Sequence, residues 1–173
     1  MTKQEIEDLE RVIACNFADA NQLWIDDFFS LGNYKLKGGH ENTLVLDEEK
    51  LIVYKSNNLM NTKYLISNLV EKVFIHNELF PETGYEIIGF TGLKNHGNRT
   101  PYIEVVLKQD YIPGLVKSSF EEISVFMESL GFKQITIESY RNDKYVVYDL
   151  YPRNVLKDEK GTIFVVDAEF VRL

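Results

Sequence analysis

Asp149, Asn154 and Asp167 fall within one short stretch near the end of this 173-residue chain, "YDLYPRNVLKDEKGTIFVVDAEF". Asp149 and Asn154 flank a loop containing Pro152, and Asp167 follows the apolar run "TIFVV". Transfer of a phosphoryl group from a nucleotide calls for this set of side chains. One carboxylate stands beside the acceptor hydroxyl, while an Asn and a second carboxylate hold magnesium against the phosphates. Singly, each residue also reads as ordinary structure: a cap, a turn former and a strand end.

Lys55 is the next candidate. It closes the apolar run "LIVYK", so its ammonium can project from a sheet edge. Glu71 lies in the middle of the following helical pattern, at a spacing suited to an ion pair that fixes such a Lys on nucleotide phosphates. Glu78, two turns further on, is the alternative partner. Gly38 and Gly39 precede the strand "NTLVL". Paired glycines let backbone approach a phosphate closely, and a plain turn explains them equally well. His40 reads as a surface or hydrogen-bonded histidine. There is no Cys/His cluster of zinc-binding spacing, and Cys15 has no activating base in view.

These residues need elements to position them. Ile6, Leu9, Val12 and Ile13 give helical spacing over residues 3–15. "TLVLDEEKLIVYK" (43–55) reads as a β-hairpin around a polar turn. Residues 61–79 carry a near-helical apolar pattern ended by Pro81. Strand signals follow at 85–90 and 102–107, and "DYIPG" reads as a turn. Ser118 or Ser119 with Glu121 or Glu122 forms a capping box for a helix over 119–130, with Gly131 as its C-terminal stop. Three strand-like pieces close the chain, at 134–138, 155–157 and 162–166, the last two joined by "DEKG". The fold class is α+β.

Composition narrows the functional classes. Hydrophobic residues make up 45% of the chain and charged residues 27%, enough for one globular domain or two small lobes. The net charge of −8, with Lys and Arg scattered, argues against nucleic acid as a partner. No apolar run reaches a membrane-spanning length, and the acidic N-terminus is unlike a secretory signal. The expectation is a cytoplasmic protein without membrane contact, and the single cysteine fits a reducing compartment.

The motifs together resemble a known superfamily. "DLYPRNVL" is similar to the catalytic loop of protein kinases and their small-molecule-kinase relatives. "VVD" resembles the strand leading to the metal-binding Asp of the DFG motif, and "IVYK" resembles the VAIK strand. "GGHEN", "HNELFPETGYEIIGF", "VVLKQDYIPG" and "YRNDKYVVYDLYPRNVL" resemble the short bacterial kinase-like domains found in the polyvalent proteins of phages and mobile elements. The resemblance covers about residues 28–170. It implies a minimal two-lobe fold: a helical extension at 1–27, an N-lobe at 28–109 with an antiparallel sheet and one αC-like helix, and a C-lobe at 110–173 that stops just after the DFG-like strand.

Carried over residue by residue, the resemblance implies ATP and magnesium as cofactors. Asp149 takes the place of the catalytic base. Asn154 and Asp167 take those of the metal ligands, and Lys55 with Glu71 that of the phosphate-binding pair. Gly38 and Gly39 match the phosphate-covering loop. Lys108, Gln109, Asp110 and Tyr111 fall at the hinge that meets adenine. Arg153 matches an arginine that some kinases carry near the transferred phosphate. Val147-Tyr148-Asp149 stands where the family has HRD, and Asp167-Ala168-Glu169 where it has DFG. With only six residues after Asp167, no peptide-binding helices are implied. The expected activity is therefore phosphotransfer to an unidentified protein or small-molecule hydroxyl. A partner protein or a second copy would complete the C-lobe. The alternative is a pseudokinase-like nucleotide-binding or interaction module, and a sugar or antibiotic phosphotransferase is a third reading.

Overall fold

The computed structural model describes residues 1–36, 42–57, 65–94 and 100–173. The chain is α+β, with three α-helices among the described residues and antiparallel sheets. It divides into two compact units: unit 1 comprises Met1–Val73 and Tyr85–Tyr111, and unit 2 comprises Phe74–Gly84 and Ile112–Leu173. No helix among the described residues is long and apolar enough to cross a membrane.

Unit 1 is built on a five-stranded sheet. Its strands are β1 (Tyr34–Leu36), β2 (Asn42–Asp47), β3 (Ile52–Asn57), β4 (Tyr85–Leu93) and β5 (Tyr102–Asp110), in the order β1-β2-β3-β5-β4. The hairpin expected at 43–55 is β2 and β3, with Leu44 opposite Lys55. Helix α1 (Lys3–Ala20) opens with a capping box between Thr2 and Glu5, which satisfies two backbone donors that a helix start leaves unpaired. It runs five residues beyond the expected end, and its buried face is made of Ala14, Cys15 and Ala18. Small side chains let the helix lie close to the sheet core of Phe90, Ile103, Val105 and Leu107. The larger Leu9, Val12 and Ile13 of the expected stripe face solvent instead.

Helix α2 (Ile66–Leu79) begins in unit 1, where the Ile66 amide donates to the Glu10 carboxylate of α1 at 2.8 Å. An anion there also suits the positive end of the helix dipole. The expected start of this helix, at 61–64, lies outside the described residues. After α1 the chain pairs with the outer strand β4: Ile25 N–H donates to Phe90 O and Phe90 N–H donates to Leu23 O. That covers an edge that would otherwise expose its hydrogen-bonding groups. The approach is so close that a Cβ on Gly89 would stand 2.3 Å from Leu23 O. Glycine is therefore required at this β4 bulge.

Unit 2 contains helix α3 (Phe120–Ser129) and two small sheets. Of the two capping boxes the sequence allows, Ser119 with Glu122 forms, and Gly131 follows at φ +86° as the stop. Ser118 instead turns its hydroxyl inward to Val155 O at 2.6 Å. The three-stranded sheet orders β11-β10-β6, with β6 at Val116–Lys117, β10 at Val155–Lys157 and β11 at Ile163–Val165. The four-stranded sheet orders β12-β9-β8-β7: β7 is Lys133–Thr136, β8 Ser139–Arg141, β9 Tyr145–Tyr148 and β12 Glu169–Arg172. One core of Ile123, Met127, Phe132, Tyr140, Val147, Leu150, Val155 and Val165 joins α3 to both sheets. Strands β8, β9 and β12 have no counterpart among the expected elements.

Candidate functional site

The loop from Asp149 to Asn154 leaves β9 and enters β10, so one strand of each sheet in unit 2 anchors it. Leu150 and Val155 are fully buried and fasten its two sides into the core. Within the loop, Tyr151 N–H donates to Asp149 O at 3.0 Å, and Asn154 N–H to Tyr151 O at 2.8 Å. Asp149 itself has φ +63°, a left-handed backbone that costs a side-chain-bearing residue free energy. Glu138 holds it there, accepting the Asp149 amide on Oε2 at 2.6 Å and the Leu150 amide on its backbone oxygen at 3.1 Å.

Asn154 ties the three motif residues together. Its Nδ2 donates to Asp149 Oδ2 at 3.0 Å and to Asp149 O at 2.9 Å. Its backbone oxygen accepts from Val166 N–H at 2.9 Å and from Asp167 N–H at 3.4 Å. The return strand reinforces this arrangement, because Glu169 of β12 pairs directly with Tyr148 of β9. Asp149 follows one member of that pair and Asp167 lies just before the other. Ala168, between Asp167 and Glu169, is fully buried.

Burial raises the pKa of Asp149 above the ordinary aspartate value, Arg153 opposes that, and Asp167, Glu169 and Glu138 push it up further. Arg153 Nη2 donates to Asp149 Oδ1 at 3.2 Å, and its guanidinium lies 4.4 Å from the centre of the Tyr151 ring. Burial and these like charges favour the protonated form of Asp149, and the Arg153 guanidinium favours the charged one. Among the described residues there is no group of three or more His, Cys, Asp or Glu arranged to hold a metal by themselves. Magnesium does not need one, since it is commonly held by one or two protein oxygens together with phosphates. With Nδ2 committed to Asp149, Asn154 offers Oδ1 as a hard oxygen donor. That oxygen and the Asp167 carboxylate are of the donor chemistry that magnesium takes.

In unit 1, Lys55 is buried on β3, opposite Leu107 of β5. Its Nζ donates to the Tyr85 hydroxyl at 2.8 Å and lies 4.6 Å from the centre of that ring. Glu71 is on an exposed position of α2. Glu78, near the end of α2, accepts the Tyr145 hydroxyl at 2.9 Å. Gln109 and Asp110 end β5, with Gln109 buried. Lys108 pairs with Glu86 at 3.0 Å, and Tyr111 N–H donates to Leu51 O at 2.8 Å. The chain passes from unit 1 to unit 2 after Tyr111. Gly38 and Gly39 lie outside the described residues.

Within unit 2 the fold therefore brings together Asp149, Arg153, Asn154 and Asp167. Glu138, Tyr151 and Glu169 join them, although nothing in their spacing singles them out. Tyr85, a hydrogen-bond partner of Lys55, was equally invisible in sequence. The model of a family described as "Serine/Threonine/Tyrosine Kinase found in polyvalent proteins" matches residues 7–172. No curated protein and no solved structure matches the chain.

Proposed function

Since the chain belongs to the family of serine/threonine/tyrosine kinases found in polyvalent proteins, we propose that it is a phosphotransferase that uses ATP and magnesium and acts on a hydroxyl. The observation that best supports this reading is the double role of Asn154. Its amide nitrogen orients Asp149 while its backbone oxygen carries the amides of Val166 and Asp167. Base and metal-ligand positions are thereby held on one hydrogen-bonded unit, as positional catalysis requires.

In this reading Asp149 receives the proton of the acceptor hydroxyl as the γ-phosphoryl group passes to that oxygen and ADP leaves. Its raised pKa makes it a better proton acceptor than an ordinary aspartate. Magnesium, held by Asn154 Oδ1 and the Asp167 carboxylate, would supply charge neutralisation on the phosphates. Arg153, stacked on Tyr151, adds positive charge beside Asp149. Lys55 takes the phosphate-binding role, with Glu71 as its carboxylate partner. Gln109, Asp110 and Tyr111 take the hinge position beside adenine, with the Tyr111 N–H already committed to Leu51 O. The two units correspond in this reading to the N-lobe and C-lobe of a kinase.

The test is incubation with ATP labelled on its γ-phosphate, following label into protein or into free phosphate. Wild type should show magnesium-dependent transfer or release. Asp149→Ala should keep nucleotide binding and lose transfer, and wild-type turnover by that variant would refute the assigned role. The second reading is a nucleotide-binding module without transfer, under which wild type binds ATP with no label moved.

A further inference from the structure

We infer that unit 2 carries a docking groove for a basic amphipathic peptide segment of a partner protein. The groove has a volume of about 920 Å³ and lies among α3, the turn before β11 and the segment that ends α2. Its residues include none of Asp149, Arg153, Asn154 or Asp167. The inference therefore stands independently of the kinase reading.

The shape of the groove follows from the sequence of α3. Ile123 and Met127 point into the core and are fully buried. A solvent-facing turn between them would ordinarily carry polar residues. Instead Val125 is 65% exposed, and Leu130 just past the helix is 42% exposed. With Leu79, Phe126 and Ile163 they line the same groove. Isolated exposed apolar residues need no explanation, but a concave group of them points to a binding surface.

The rim decides the occupant. Glu78, Glu82, Glu121 and Glu122 line the groove, and no Lys, Arg or His does. Glu78 accepts the Tyr145 hydroxyl, and Glu122 is bridged by Lys157 at 2.9 Å. That bridge holds the Glu122 pKa below its usual value, so its charge persists at neutral pH. Glu82 and Glu121 are exposed. Nucleotides, phosphopeptides and nucleic acid would meet repulsion here. A wholly apolar partner would desolvate the exposed Glu82 and Glu121 without compensation. A second copy of a chain with net charge −8 would add like charge. Apolar side chains flanked by Lys or Arg satisfy both floor and rim, and electrostatic complementarity of this kind gives specificity and a fast on-rate.

The experiment is selection of a random displayed peptide library on the full chain. A Glu82→Lys/Glu121→Lys/Val125→Asp variant serves as counter-target. All three substitutions lie on exposed positions, and matched thermal unfolding of the two proteins establishes that the variant is folded. The expected result is enrichment of peptides with two or more large apolar residues flanked by Lys or Arg. Their affinity should fall at least tenfold on the variant and weaken as salt rises. The inference is overturned by any of three results: enriched peptides without basic residues, equal binding to the variant, or no enrichment on wild type. Self-association that the variant abolishes would likewise overturn it, in favour of a second copy.

Discussion

Asp149 combines a left-handed backbone, three neighbouring carboxylates and one guanidinium. Because its folded pKa is raised, its charged form is disfavoured in the fold. Stability is thus diminished above that pKa and regained as pH falls through it. Asp149→Asn should therefore raise the melting temperature at neutral pH by only about 1–3 °C: it removes the disfavoured charge and Asn tolerates positive φ, but its one carbonyl oxygen can serve Arg153 or Asn154 Nδ2 and not both. The gain should shrink as acid protonates the wild-type carboxyl, and phosphotransfer should be lost throughout. Calorimetry of both proteins across pH checks this. Glu138 makes a second prediction. Glu138→Gln retains an oxygen for the Asp149 amide, whereas Glu138→Ala leaves that amide without its side-chain acceptor. Turnover should fall roughly 10-fold or more in Glu138→Ala with ATP affinity unchanged, and return toward wild type in Glu138→Gln, the scale expected from displacing a reacting group. Equal loss in both variants would contradict a positioning role.

Elements with strong local signals were readable from sequence, and those made by pairing were not. The β2–β3 hairpin and α3 carried their own turn and capping chemistry, so their expected bounds lie close to the observed ones. Strands β8, β9 and β12 have three or four residues each and exist because they pair with one another. The apolar spacing located α1 but not its buried face, because close packing on the sheet selected the small Ala14 and Ala18. The same division applies to the site. Asp149, Asn154 and Asp167 were legible as a spacing, while Glu138 depends on a contact between β8's approach and the β9 exit. Two stability measurements test this level. Ser119→Ala should cost about 1 kcal/mol by removing the α3 cap. Gly89→Ala should cost about 1–3 kcal/mol by forcing a Cβ against Leu23 O. Urea unfolding checks both.

At the scale of the whole molecule, two units are built by different means. Unit 1 is one antiparallel sheet covered by α1 and the first part of α2, while unit 2 joins two small sheets through a shared core. The family match spans both, and the proposed chemistry draws residues from both. Its central claim is that Asn154 and Asp167 hold magnesium on a bound nucleotide. The most direct measurement is the thermal shift produced by ATP with and without magnesium, in wild type and in Asp167→Ala. Wild type should be stabilised by ATP much more strongly with magnesium, at saturating ligand by about 2–3 kcal/mol. Asp167→Ala should lose the magnesium-dependent part while unfolding cooperatively. An undiminished magnesium-dependent shift in Asp167→Ala, or no ATP shift in wild type under either condition, would contradict the account.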